Sequence, residues 1–378
     1  MAISQKPLDA LELGQWFKLI CGASYQDVSK IRNLSLVYSL AGADCIDVAA
    51  ELAVVQAALA GIAAAQTIAA IDKPWLMVSF NDGQDPHFRK AWFELKRCPA
   101  DCLRPCERVC PAHAILPISQ MKEAQVDGLG VMADRCYGCG RCLPMCPLGI
   151  IEERSFKVAA GAIAPALLPH IDAIEIHTQI GRQAEFQVLW QQLAPYISQL
   201  KLIAISCPDG EPHTSAIVDY LAQLYQLMEP KPPQLLWQTD GRSMTGDIGK
   251  GTTLATIRLA QKVLNARLPG YVQLAGGTND YTVAKLRSLN LLQERHPSPL
   301  EHTTYGINGI AYGSYARRLV DVGDSPLEDD PEKLWQQVSL AGELVSQIKP
   351  DAHPKIRYSQ FLKHDLCGPH TSTATIPP

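Results

Sequence analysis

At 378 residues the chain is long for one ordinary domain, though a single α/β barrel would use most of it, and a 47% hydrophobic content supplies a large core. A net charge of −4, with no long block of like charge, gives no electrostatic case for a nucleic-acid or anionic-membrane partner.

The start, MAISQKPLDALELGQW, has no cationic segment leading into an apolar core, so it does not read as a secretory signal. WFKLIC (16–21) reads as a first strand, VSKIRNLSLVYSLAG (28–42) as an amphipathic helix and DCIDVA (44–49) as a second strand. The most apolar stretch, AAELAVVQAALAGIAAAQTIAAI (49–71), is alanine-rich and broken by Glu51, Gln56 and Gln66, which suits a buried helix better than a membrane span. WLMVSF (75–80) is a third strand. The cytoplasm is therefore the expected compartment, where glutathione disfavours structural disulfides and clustered cysteines more often bind metal.

Beyond strand three, CPADCLRPCERVCP (98–111) and CYGCGRCLPMCP (136–147) hold eight of the twelve cysteines. The second run, Cys136-x2-Cys139-x2-Cys142-x3-Cys146-Pro147, matches the bacterial ferredoxin pattern residue for residue. In that pattern three closely spaced thiolates grip one cluster, and the cysteine before proline ligates the other cluster. The first run departs from it, since Leu103 stands where a second ligand would fall. Its spacing, Cys98-x7-Cys106-x3-Cys110-Pro111, resembles that of seven-iron ferredoxins, whose longer loop holds a three-iron cluster. By the crossed rule one cluster takes Cys110, Cys136, Cys139 and Cys142, and the other takes Cys98, Cys106 and Cys146. Cys102 either closes a fourth corner or stays free. The expected cofactors are thus one [4Fe–4S] cluster and one [3Fe–4S] or [4Fe–4S] cluster. Zinc is the blander alternative, but paired ribbons do not need eight cysteines with two Cys-Pro exits. A disulfide scaffold fails on compartment. Cys21, Cys45 and Cys207 read as small buried hydrophobes and Cys367 as an exposed thiol of the tail.

Five more strands follow: AIEIHT (173–178), LKLIAISC (200–207), QLLWQTD (234–240), GYVQLAG (270–276) and INGIAYG (307–313). Helical patterns separate them at 184–199, 215–229, 253–268 and 282–292, and a last one covers 331–348. Eight apolar strands alternating with amphipathic segments are what a (β/α)8 TIM-like barrel requires, with an open doubly wound α/β sheet as the alternative. The expected organisation is barrel strands 1–3 in residues 1–84, a two-cluster ferredoxin-like domain in 85–150, strands 4–8 in 151–350 and a loosely ordered tail in 351–378. Because βα loops emerge on a barrel's ligand face, the clusters should stand beside its mouth. Asn81, Asp82, His177, Thr178, Thr239, Asp240 and Arg242 should converge there. Glycine-rich turns at Gly276-Gly277 and Gly313-Ser314, with Arg317 beyond, let backbone N–H groups approach a phosphate-bearing ligand, or only make tight turns. His177 reads either as a proton donor or as a hydrogen-bonded structural residue. GRSMTGDIGKGTT (241–253) lacks the order of a phosphate loop and reads as a mobile loop over the mouth.

FKLICGAS, LAGADCIDVAA, CPADCLRPCERVCPAHAI, DRCYGCGRCLPMCPLGI, LLWQTDGRSMTGDIGKGTT and VQLAGGTNDYTV resemble segments of the cyanobacterial light-dependent period (LdpA) family, and the resemblance runs from about residue 13 to 350. It implies iron–sulfur clusters held by Cys98, Cys106, Cys110, Cys136, Cys139, Cys142 and Cys146, with Cys102 matching in place. It also implies a redox sensor for the circadian clock, with clock-input and clock-oscillator proteins as partners. The competing expectation is an oxidoreductase whose clusters pass electrons to a substrate or flavin in the barrel mouth. A pure electron carrier would not need a barrel of this size.

Overall fold

A computed structural model describes residues 6–22, 27–83, 89–115, 129–133, 135–156, 165–210, 216–241, 249–292 and 306–350. Cys367, Arg242, residues 242–248 of the loop over the mouth and the 351–378 tail lie outside the described residues.

The described strands are β1 (Trp16–Gly22), β2 (Cys45–Ala49), β3 (Trp75–Asn81), β4 (Arg89–Trp92), β5 (Glu152–Ser155), β6 (Ala173–His177), β7 (Leu202–Pro208), β8 (Leu235–Asp240), β9 (Tyr271–Ala275) and β10 (Gly309–Tyr312). The described helices are α1 (Pro7–Glu12), α2 (Val28–Leu40), α3 (Leu52–Ile68), α4 (Pro105–Arg108), α5 (Gln183–Leu193), α6 (Ala216–Leu227), α7 (Thr253–Ala266), α8 (Thr282–Ser288), α9 (Ser314–Leu319) and α10 (Pro331–Val345). All eight strands read from the sequence form, and all eight run parallel. β10 pairs with β1, from Trp16 opposite Gly309 to Leu19 opposite Tyr312, so the sheet closes into a barrel and the open-sheet alternative falls. β3 and β6 are neighbours in the barrel, so the cysteine runs are an insertion between its third and fourth strands.

Strands buried on both faces explain the nearly continuous apolar runs. Outward residues such as Phe17, Leu19, Ile46 and Val78 join the helices in one large core, which also takes Cys21 and Cys207. Inside, Trp16, Cys45, Trp75, Met77, Ala173, Leu202 and Leu236 form an apolar floor, which α1 covers with Leu8 and Leu11. The three cysteines read as small hydrophobes are thus buried.

The insertion has its own scaffold. β4 and β5 pair antiparallel, Arg89 opposite Ser155 and Trp92 opposite Glu152, and bring its two ends together. A small core of Phe93, Ala114, Ile115, Val131, Ile150 and Ile151 includes the buried Cys106, Cys136 and Cys142.

The α2–α3 contact is close because Gly61 leaves room for it: a Cβ there would lie 2.1 Å from the Arg32 carbonyl oxygen. Gly61→Ala should therefore cost about 1–3 kcal/mol, typical of overpacking, despite alanine's better helix propensity. A Cβ on Gly251 would meet nothing within 4 Å. Urea unfolding should show a clear fall in midpoint for Gly61→Ala and little change for Gly251→Ala; equal midpoints would refute the packing argument.

Candidate metal centre

The second cysteine run is a loop wound around its own thiols. Gly138 (φ 75°) and Gly140 (φ 74°) flank Cys139 in the left-handed region, where side chains are disfavoured. The loop curls so that Cys136, Cys139 and Cys142 line one cavity, joined there by Cys110 from the first run. Ala91, Ala112, Ala114, Ile115 and Val131 complete its apolar walls. Burial, with Cys136, Cys139 and Cys110 as like-charged neighbours, pushes the Cys142 thiol up to about 12. Burial likewise raises Cys139, reinforced by Cys110 and Cys136. The Ala114 N–H donates to the Cys110 sulfur at 3.2 Å.

The remaining thiols, built on Cys98 and Cys106 of the first run, form the first group, and those around Cys142 the second. Burial raises Cys98, with Cys102 and Cys146 adding to the rise and Arg104 opposing it. Burial also raises Cys106, whose neighbours are Arg104, Cys146 and Cys98. Burial pushes Cys146 up too, but the N–H groups of Ile150, Leu148, Ile151 and Gly149 aim at its sulfur and pull it below the ordinary thiol value. Cys110 of the first run thus lines a cavity with Cys136, Cys139 and Cys142, while Cys98, Cys102, Cys106 and Cys146 have one another as neighbours.

This donor set fits iron–sulfur clusters: soft sulfur ligands, a cavity ringed by four of them, and backbone N–H groups directed at sulfur. Among the described residues no three His, Cys, Asp or Glu side chains come together closely enough to hold a single metal ion.

The insertion is seated on the C-terminal ends of the first three strands. The Asn81 side chain, at the end of β3, donates to the Gly83 carbonyl (2.8 Å) and the Phe156 carbonyl (2.9 Å), one on each side of the insertion. Lys90 pairs with Glu51, just before α3, at 2.5 Å and donates to the Ala133 carbonyl at 2.7 Å. Arg141, in the second run, pairs with Asp27, whose other oxygen caps α2 by accepting from the Ser29 N–H. Tyr137 sinks its ring into the barrel's large core.

The other residues expected at the mouth are held by local bonds. Asp82 pairs with Arg182 at 3.4 Å, and the Thr178 hydroxyl bonds that of Tyr220 at 2.6 Å. Thr239 donates to the Gln273 carbonyl, and Asp240 is buried. Gly277 accepts from the Thr252 hydroxyl at 2.7 Å. Gly276 has φ 66°, and Gly313 precedes the short α9. Arg317 donates to the Ile20 carbonyl at 2.8 Å and to the Ser314 hydroxyl at 3.3 Å.

Sequence reasoning missed a charged layer just above the barrel floor. Lys18, fully buried, pairs with Glu175 and with Asp47 at 3.2 Å. Asp47 accepts from Ser79 at 2.8 Å, and Glu175 accepts from Gln238 at 2.6 Å and from His177 Nε2 at 2.9 Å. Gln273 donates to Gln238 and accepts from Trp16 Nε1 at 2.9 Å. His177 is thus a hydrogen-bonded member of this layer. Burial would lower Lys18, but the two carboxylates outweigh it and hold the ammonium protonated. Burial would raise Glu175, but Lys18 and His177 bring it down to about 2. For Asp47 burial wins, and its carboxyl is pushed up to about 6.

A carboxyl whose folded pKa lies above its unfolded value favours folding below the unfolded value and loses that contribution as pH rises through the folded one. Asp47 should therefore make the protein less stable on going from about pH 4 to pH 6.5. Asp47→Asn should flatten that part of the urea-midpoint profile; an unchanged slope would contradict the assignment.

Comparisons with known proteins identify the chain's relatives. The family described as the LdpA Fe-S cluster-binding domain matches residues 98–157, and that described as the Light dependent period A C-terminal domain matches residues 167–347. The protein Light dependent period A of Synechococcus elongatus is 53% identical over 351 residues, covering 91% of this chain and 94% of that one. A truncated 3-deoxy-D-arabino-heptulosonate 7-phosphate synthase from Thermotoga maritima has 10% identity and a TM-score of 0.42 over 89% of this chain and 86% of that one. Tryptophan synthase from M. tuberculosis has 12% identity and a TM-score of 0.41 over 91% and 99%. These two structural likenesses are too loose to carry a functional argument.

Proposed function

The chain belongs to the light dependent period A family, and from that premise we propose that it is an iron–sulfur redox sensor relaying light-dependent cellular redox state to the circadian clock. The observation that carries the proposal is the cavity lined by Cys110 of the first run and Cys136, Cys139 and Cys142 of the second. Cys110, Cys136, Cys139 and Cys142 would hold a [4Fe–4S] cluster. Cys98, Cys106 and Cys146 would hold the other, a [3Fe–4S] cluster that becomes [4Fe–4S] if Cys102 joins them. When bound, such clusters supply one-electron redox chemistry.

The protein's own residues do the rest. The N–H groups around Cys146 favour its thiolate form, and the apolar walls around Cys142 keep water from the second quartet. Arg141 and Tyr137 tie that quartet to α2 and the barrel core, so a charge change there acts on a surface the barrel presents. That surface would meet clock-input and clock-oscillator proteins in the cytoplasm. Among the described residues no helix is long and apolar enough to cross a membrane. The turns at Gly276-Gly277 and Gly313-Ser314 are engaged with Thr252 and Arg317, so a phosphate-bearing ligand rests on their place at the mouth alone.

Anaerobically purified protein should contain roughly seven or eight irons per chain with matching acid-labile sulfide. Cys146→Ser should damage the cluster site built on Cys98 and Cys106 and leave the reduced four-iron EPR signal largely intact. Loss of only the four-iron signal would invert the assignment, and stoichiometric zinc without iron would remove it. Capture of clock proteins should change between oxidised and reduced protein; redox-independent capture would reject the sensor.

A further inference from the structure

We propose that Arg104 sets the reduction potential of the first thiol quartet, holding it above that of the second. The inference rests on the two-cluster reading above and goes beyond it by naming the residue that makes the sites unequal.

Arg104 lies between Cys102 and Cys106 and stands beside the thiols of Cys98 and Cys106. It is only 5% exposed, while its neighbour Leu103 is 81% exposed. The turn therefore sends an apolar side chain to solvent and a guanidinium inward, the reverse of ordinary burial. Its backbone is also unfavourable, with φ 50° and ψ 57° in the left-handed region. That conformation costs a non-glycine residue roughly 1–2 kcal/mol. Proline at 105 further discourages a helical conformation at the residue before it. A strained backbone and a buried charge at one position point to a function that needs the charge there.

Among the described residues no charged side chain lines the second quartet's cavity. Alanine, isoleucine and valine wall it, and fellow thiols crowd Cys142 as they crowd Cys98 in the first quartet. The cation of the second quartet's loop, Arg141, is directed to Asp27 and Asp324. Adding an electron makes a cluster more negative. A nearby guanidinium stabilises that form, whereas apolar walls disfavour it; N–H groups at sulfur and neighbouring thiols occur at both quartets and do not separate them. Both influences raise the first site relative to the second. Glu107 moderates the effect, with its carboxylate 3.6 Å from Arg104 Nε.

EPR-monitored potentiometric titration of anaerobic full-length protein, with iron and sulfide counts on each variant, tests this. Arg104→Gln should shift the first site's midpoint down and leave the second site's unchanged, and Arg104→Lys should recover most of the shift. Glu107→Gln, a partly exposed change that spares the fold, should move the first midpoint up, and it decides the matter if Arg104→Gln fails to fold. With both clusters present, an unmoved first midpoint in Glu107→Gln or folded Arg104→Gln, or equal shifts at both sites, overturns the assignment to Arg104. Wild-type protein with fewer than two clusters would instead overturn the two-cluster reading beneath it.

Discussion

The Asn81 carboxamide holds both sides of the insertion to one point on the barrel, donating to Gly83 on the way out and to Phe156 on the way back. The arrangement of the cysteine runs depends on that anchorage. It turns a long excursion between β3 and β6 into a closed loop, whose ends β4 and β5 then zip together. Closed in this way, the two cysteine runs meet, and Cys110 of the first joins Cys136, Cys139 and Cys142 of the second around one cavity. A cavity that takes one of its four thiols from the other run cannot form while either run is unfolded. Because Asn81 ends a strand, the insertion emerges on the face where the βα loops lie, and Lys90 and Arg141 settle it against Glu51 and Asp27 there.

The barrel interior is built differently from a purely structural one. Such interiors are usually layers of branched apolar side chains, yet here Lys18, Asp47 and Glu175 occupy one together. A buried ion pair seldom adds stability over apolar residues of similar volume, because desolvation offsets the attraction. What makes this layer tolerable is completeness. Glu175 receives three donors, Lys18, Gln238 and His177, and the Gln238–Gln273–Trp16 chain ties the layer to the floor.

The barrel was legible in the sequence because parallel strands covered on both faces leave uninterrupted apolar runs, and each of the eight appeared within two residues of its observed bounds. An iron–sulfur-binding segment was legible because cluster ligation is written in short cysteine spacings. The charged layer was not, since Lys18, Asp47 and Glu175 sit far apart in the chain within otherwise apolar strands, and only barrel closure brings them together. A lysine inside WFKLIC and a glutamate inside AIEIHT were the available signals. β4 and β5 escaped for another reason: RKAW is short and half-buried, EERS short and mostly exposed, and both are largely polar, so they carry no strand periodicity and form because their ends are held. Arg104 offered no sequence signal. Its importance lies in a backbone angle and in which side of a turn its side chain takes.

The insertion has an inner end and an outer end. Tyr137 and Arg141 attach the second quartet's loop to the barrel core and to Asp27, and Asp27 also caps α2. A change of charge at that quartet is therefore felt at a helix start, where backbone N–H groups already respond to charge. Around the first quartet the flanking apolar side chains point outward instead: Leu103 is 81% exposed, Leu148 51% and Met145 41%. The two sites are thus distinguished by what surrounds them more than by which cysteines hold them. Tyr137 ties the loop of one group to the barrel core, while exposed Leu103, Met145 and Leu148 flank the other, beside the buried Arg104.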